Sequence, residues 1–182
     1  MNESAARRPR RLSATVFLFF LFSFLGWVME KAFVYVSVGV NADRGFLTLP
    51  FCTVYGTGLV LARVLLGAPL KEARYPWNLF LLVGYVLAAA LLCTAAELIV
   101  GVTFEHVVGV RLWTYAGAPH AFLDYVCLPV SAAWGLLLPV VMQGVWLPLE
   151  RRLECVRGAW LPAVNLVLAI ALSADFLLCL LL

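Results

Sequence analysis

Long apolar runs alternate with short polar segments along the whole chain. The runs cover residues 13–38, 51–67, 77–102, 125–147 and 160–182, and that at 51–67 is the shortest. A membrane-crossing helix needs ~20 mainly apolar residues at ~1.5 Å rise each, so these runs match in length. No alternating strand pattern of ~10 residues recurs between turn signals, which argues against an outer-membrane barrel. Only helices then satisfy the backbone in lipid. The pattern predicts an all-α, polytopic transmembrane helical bundle of about five spans.

Composition sharpens this picture. The chain has 182 residues, of which 64% are hydrophobic and 13% charged, with a mean hydropathy of +1.00. Soluble domains carry about 25% charged residues, so the chain falls in the membrane class. No polar stretch is long enough for a soluble domain. The expected organisation is a basic N-terminal segment, 1–12, followed by a single membrane-embedded domain, 13–182. A net charge of +3, dispersed along the chain, gives no reason to expect nucleic acid as a partner; the expected surrounding is the lipid bilayer.

Loop charges set the expected orientation. Arg7, Arg8, Arg10 and Arg11 precede the first run, which is too long for a signal-peptide core and lacks a clear cleavage site, so it reads as an uncleaved anchor. Placing that end in the cytoplasm also puts Lys71, Arg74, Arg151, Arg152 and Arg157 inside, leaving Arg44 and Arg111 outside. The expectation is a multi-pass protein of a plasma (inner) membrane with its N-terminus cytoplasmic.

Charges within the spans carry the chemical interest. A charge at the bilayer centre costs ~2.5–3.5 kcal/mol on insertion scales, so each needs a partner, water or a path to the headgroups. Lys31 and Arg63 have stems long enough to reach headgroups. Counting about 1.5 Å per residue places Glu30, Glu97 and Asp175 toward the outer side, where Arg44 and Arg111 are positioned to pair with Glu30 and Glu97. The functional reading is an outward-facing polar cluster that binds a solute or relays protons; the alternative is ion pairs that pin loops to helix ends.

The connection 103–124 is the long one, and it mixes Glu105, His106, Arg111, Trp113, Tyr115, Pro119, His120 and Asp124 with apolar residues. It fits an interfacial or re-entrant element. His106, His120 and Glu105 match no strong zinc spacing, so neither a metal nor a cofactor is expected. Cys52 and Cys127 both lie at outer span ends, where a disulfide is open to them; the alternative is small apolar filling.

Two blocks of sequence carry a family resemblance. The first, FSFLGWVMEKAFVYVSVGVNADRGFLTLPFCTVYGTG, holds Gly26, Trp27, Glu30, Arg44, Gly45, Phe46, Pro50, Cys52, Tyr55, Gly56 and Gly58; the second, from 97 to 135, holds Glu97, Glu105, Arg111, Trp113, Tyr115, Pro119, Cys127, Ser131, Trp134 and Gly135. In these residues the chain resembles the ABC-transporter type IV (CmpB-like) family of bacterial membrane proteins described as transporter permeases. The resemblance implies the same multi-span topology and selects Glu30, Arg44, Tyr55, Glu97, Glu105, Arg111 and Tyr115 as candidate site residues. It is imperfect at Thr114, Ala116, Ala121, Leu123 and Asp124, where the family tends toward Asp, Ser, Asn and Gly.

Three function classes follow. A transporter component comes first, and it needs an ATPase on a separate chain, because Lys31 and Lys71 both lack the preceding glycine of a P-loop. A structural, sensory or assembly membrane protein is the alternative. A small membrane enzyme is the third, although no GxSxG or HExxH pattern occurs. A bundle this small also admits a homo-oligomer.

Overall fold

The computed structural model describes residues 3–39, 46–70, 77–156 and 158–181. Its helices are α1 (Glu3–Val38), α2 (Thr53–Leu65), α3 (Trp77–Thr103), α4 (Leu128–Val141), α5 (Leu147–Glu154) and α6 (Trp160–Leu181). A short hairpin, β1 (Ala121–Phe122) and β2 (Val126–Cys127), completes the set. The fold class is all-α. Among the described residues, four helical stretches are long and apolar enough to cross a membrane: Pro9–Val36, Asn78–Val108, Leu128–Glu154 and Trp160–Leu181. Together they make the chain a multi-pass integral membrane protein.

The run at 51–67 forms a helix of only 13 residues, or about 20 Å, against a ~30 Å hydrocarbon core. Its ends explain its length. Residues 46–52 are irregular, and at the other end the amides of Leu66 and Gly67 both return to the Ala62 carbonyl, with Gly67 at φ 77°. That is a left-handed glycine stop. The run at 125–147 goes the other way: the helix from Leu128 continues to Glu154. A π-helical turn, Met142–Trp146, precedes Pro148. Widening the turn relieves the clash between the proline ring and the carbonyl four residues back, so the helix continues where a proline would otherwise end it.

The chain forms two compact units, one comprising Met1–Val60 with Pro148–Leu182 and the other Leu61–Leu147. In the first, α1 packs closely on the start of α2. A Cβ at Gly56 would collide with the Phe19 carbonyl and the Ser23 hydroxyl, and one at Gly26 would collide with the Tyr55 ring. Small residues are what let helices approach this closely in lipid, where apolar surface alone drives no association.

In the second unit α3 and α4 pair along a stripe of small and polar residues. A Cβ at Gly135 would stand 2.8 Å from the Ala90 Cβ and 2.9 Å from the Val86 carbonyl oxygen. One to three turns further along α3, Thr94 donates to Ser131 at 2.8 Å, and a Cβ at Gly101 would stand 2.8 Å from the Tyr125 ring. A second π-helical turn, Phe104–Val108, ends α3, and Gly109 at φ 75° reverses the chain. The hairpin then turns through Leu123 and Asp124 at φ 51° and 62°, with the Tyr125 amide donating to the Phe122 carbonyl. This is the geometry that Asn and Gly adopt at least cost, so the departures at 121–124 fall on a demanding turn.

Candidate functional site

In the first unit, the irregular backbone at 46–52 finds partners on α1 and α6. The Cys52 amide donates to the Ser23 carbonyl on α1 at 2.9 Å. The Leu49 amide donates to Asp175 Oδ2 at 3.0 Å, and the Thr48 hydroxyl donates to Oδ1. Asp175 is 8% exposed on α6, and both its oxygens serve to hold residues 48 and 49. The Tyr55 ring lies against Gly26, and its hydroxyl donates to Glu30 one turn further along α1. Arg44, expected to pair with Glu30, lies outside the described residues.

In the second unit the expected pairing of Arg111 with Glu97 is replaced by another. Arg111 donates from Nε and Nη2 to Glu105 at 2.6 and 2.7 Å. The reversal at Gly109 brings the guanidinium back to the acid six residues earlier, which is nearer along the chain than Glu97. The guanidinium also stands 5.5 Å over the Tyr125 ring, whose hydroxyl donates to Glu105 at 2.9 Å. Donating these bonds to Glu105 holds Arg111 above its ordinary pKa. The Trp113 indole donates to the Tyr125 carbonyl at 2.9 Å, and the Tyr115 amide donates to the Asp124 carbonyl at 2.8 Å. The long connection is therefore a folded element, knitted to the end of α3.

Glu97 is left with a different environment. The Trp134 indole donates to its Oε1 at 3.1 Å, and the Tyr115 side chain also interacts with this carboxylate. Its Oε2 is buried with no hydrogen-bond partner among the described residues. Cys93 and Thr94, one turn away, extend the polar stripe toward the middle of the span.

The structure thus brings together Glu30 with Tyr55, Glu105 with Arg111, and Glu97 with Tyr115. Cys52 and Cys127 are free thiols in this structure and belong to different units. Cys127 is buried, with Sγ 3.5 Å from the Pro119 carbonyl oxygen. Among the described residues no group of three or more His, Cys, Asp and Glu side chains could hold a metal ion.

Three groups escape sequence reasoning. Trp134 stands out in the sequence only through the family resemblance, and Tyr125 only as the start of an apolar run, yet they supply donors to Glu97 and Glu105. Glu150 reads as a loop residue, yet it is 2% exposed on α5, where the Thr15 hydroxyl donates to it at 3.4 Å and Arg11 lies 3.9 Å away. The signal for Glu150 is the helical propensity of LERRLE, which follows Pro148 and is masked by its charge.

A family model described as "Putative ABC-transporter type IV" matches residues 17–180. The chain belongs to this family. No curated protein and no solved structure matches it. The matched region of this ABC-transporter type IV member takes in every candidate acid and Tyr55, Tyr115 and Tyr125, along with all of α2, α3, α4 and α5.

Proposed function

We propose that this protein is the membrane-embedded component of a transporter that works with a separate ATPase subunit, sited in a bacterial inner membrane with its N-terminus in the cytoplasm. Family membership and four apolar helices of spanning length support the membrane component. The excess of Lys and Arg in the segments at 7–11, 71–74 and 151–157 supports the orientation.

Within it, Glu97 is the residue that accepts a proton or a cationic group of the solute. One observation carries this: in an apolar span, Glu97 keeps a buried carboxylate oxygen without a hydrogen bond, and a buried group that can carry a charge is the costliest kind to leave so. Tyr115 and Trp134 position the carboxylate. Glu105 and Arg111 hold the connection that carries Tyr115. The test is affinity purification of the tagged full chain in mild detergent, with mass spectrometry of what copurifies, alongside the Glu97→Gln variant. A stoichiometric ATPase is expected with both proteins, and recovery of the chain alone across several detergents overturns the reading.

A second reading, a structural or assembly protein, is favoured by Asp175 and by the Glu105–Arg111 pair, since both hold irregular segments in place. It predicts that Glu97→Gln leaves cells unaffected.

A further inference from the structure

The first unit contains a cavity of about 120 Å³ lined by Pro9, Arg10 and Ser13 of α1, Leu153 and Val156 at the end of α5, and Leu161 and Pro162 of α6. It has room for about four waters at ~30 Å³ each. Its position is informative. Three spanning stretches have an end here: Pro9–Val36 begins at Pro9, Leu128–Glu154 finishes at Glu154, and Trp160–Leu181 begins at Trp160. Three span ends around one opening put it at the level of the lipid headgroups, and Trp160, packed edge-on against Phe17 at 6.4 Å, is the type of residue that marks that level.

The charge around the opening favours an anion. Arg10 lines the wall, and Arg151 and Arg152 lie in the last turn of α5. The acids on α5, Glu150 and Glu154, face Arg11 at 3.9 and 3.8 Å, so Arg11 offsets part of their charge. The first turn of α6, a helix of 22 residues, adds the partial positive charge of its unpaired amides. The wall itself is fixed: Asn165, 7% exposed, donates to the Ser13 carbonyl and hydroxyl at 2.7 and 3.1 Å.

We propose that this cavity seats the phosphate headgroup of one anionic phospholipid, with Arg10 as its principal contact and the acyl chains passing down the apolar sides of α1 and α6. The apolar lining from Leu153, Val156 and Leu161 suits the glycerol end of a lipid better than a free ion.

The test is native mass spectrometry of the full chain extracted from vesicles of equal parts phosphatidylglycerol and phosphatidylcholine. Wild type is expected to retain one phosphatidylglycerol in preference to phosphatidylcholine. Arg10→Ala is expected to reduce that preference about fivefold, the factor corresponding to the ~1 kcal/mol of one arginine near a membrane surface. Lys31→Ala, the same charge change on the far part of α1, should leave it intact. Arg10 is exposed, so its loss should not unfold the chain, and equal denaturation midpoints for the variants check this. Equal retention of the two lipids by wild type, or equal losses in Arg10→Ala and Lys31→Ala, overturns the proposal. Displacement of the lipid by millimolar inorganic phosphate also overturns it, by assigning the cavity to the free anion.

Discussion

Both units bury carboxylates among apolar helices, yet they use them differently. In the first unit, Asp175 accepts from the Leu49 amide and the Thr48 hydroxyl, so both its oxygens are committed to holding an irregular segment. In the second, the irregular segment 110–127 pairs largely with itself through the hairpin and the Tyr115 amide. It draws on Glu105 and reaches Glu97 only through the Tyr115 side chain, so Glu97 is held by side chains alone and retains an open oxygen. An acid that completes the backbone is fixed by folding. One held only by an indole and a phenol keeps capacity for a ligand.

The contrast can be broken at several points. The largest effect is expected at Gly135→Leu, because the Val86 carbonyl at 2.9 Å belongs to the helix backbone and cannot swing aside. Overpacking of this kind costs about 3 kcal/mol, read as a lower denaturation midpoint of the detergent-solubilised full chain. A midpoint like that of wild type would mean the α3–α4 contact does not hold the second unit together.

Asp175→Ala comes next. It leaves the Leu49 amide without its acceptor, and a clear fall in midpoint is expected, with Asp175→Asn falling less because its amide oxygen can still accept. Equal falls would show that charge, not acceptor geometry, matters there. Leu123→Asn relaxes a left-handed position and should raise stability by about 1 kcal/mol, seen in the same melt.

Glu97→Gln should change the midpoint least while abolishing the cellular function, whether read as growth or as solute uptake. A fall as large as that of Asp175→Ala would erase the distinction between the two acids.

Much of the architecture was legible in advance. The apolar runs at 13–38, 77–102 and 160–182 predict helices close to α1, α3 and α6, because in lipid length and hydrophobicity alone decide whether a helix forms. Glu30, Glu97 and Asp175 stand out for the same reason: an acid in an apolar run is conspicuous wherever it folds. The helix ends were less legible. The short α2 and the long stretch Leu128–Glu154 depend on a left-handed Gly67 and on a π turn before Pro148, and both are choices between backbone geometries that similar sequences can make.

What the sequence by itself determined was the all-α membrane class and the identity of the unusual residues, since both follow from transfer free energies of single side chains. Only the tertiary structure decided how those residues are spent. Arg111 takes Glu105 because Gly109 turns the chain back on itself, Asp175 completes the backbone of residues 48 and 49 from more than a hundred positions away, and Glu150 is buried because α1 lies against it. Pairing energies fall off within a few ångströms, and those distances are set by packing.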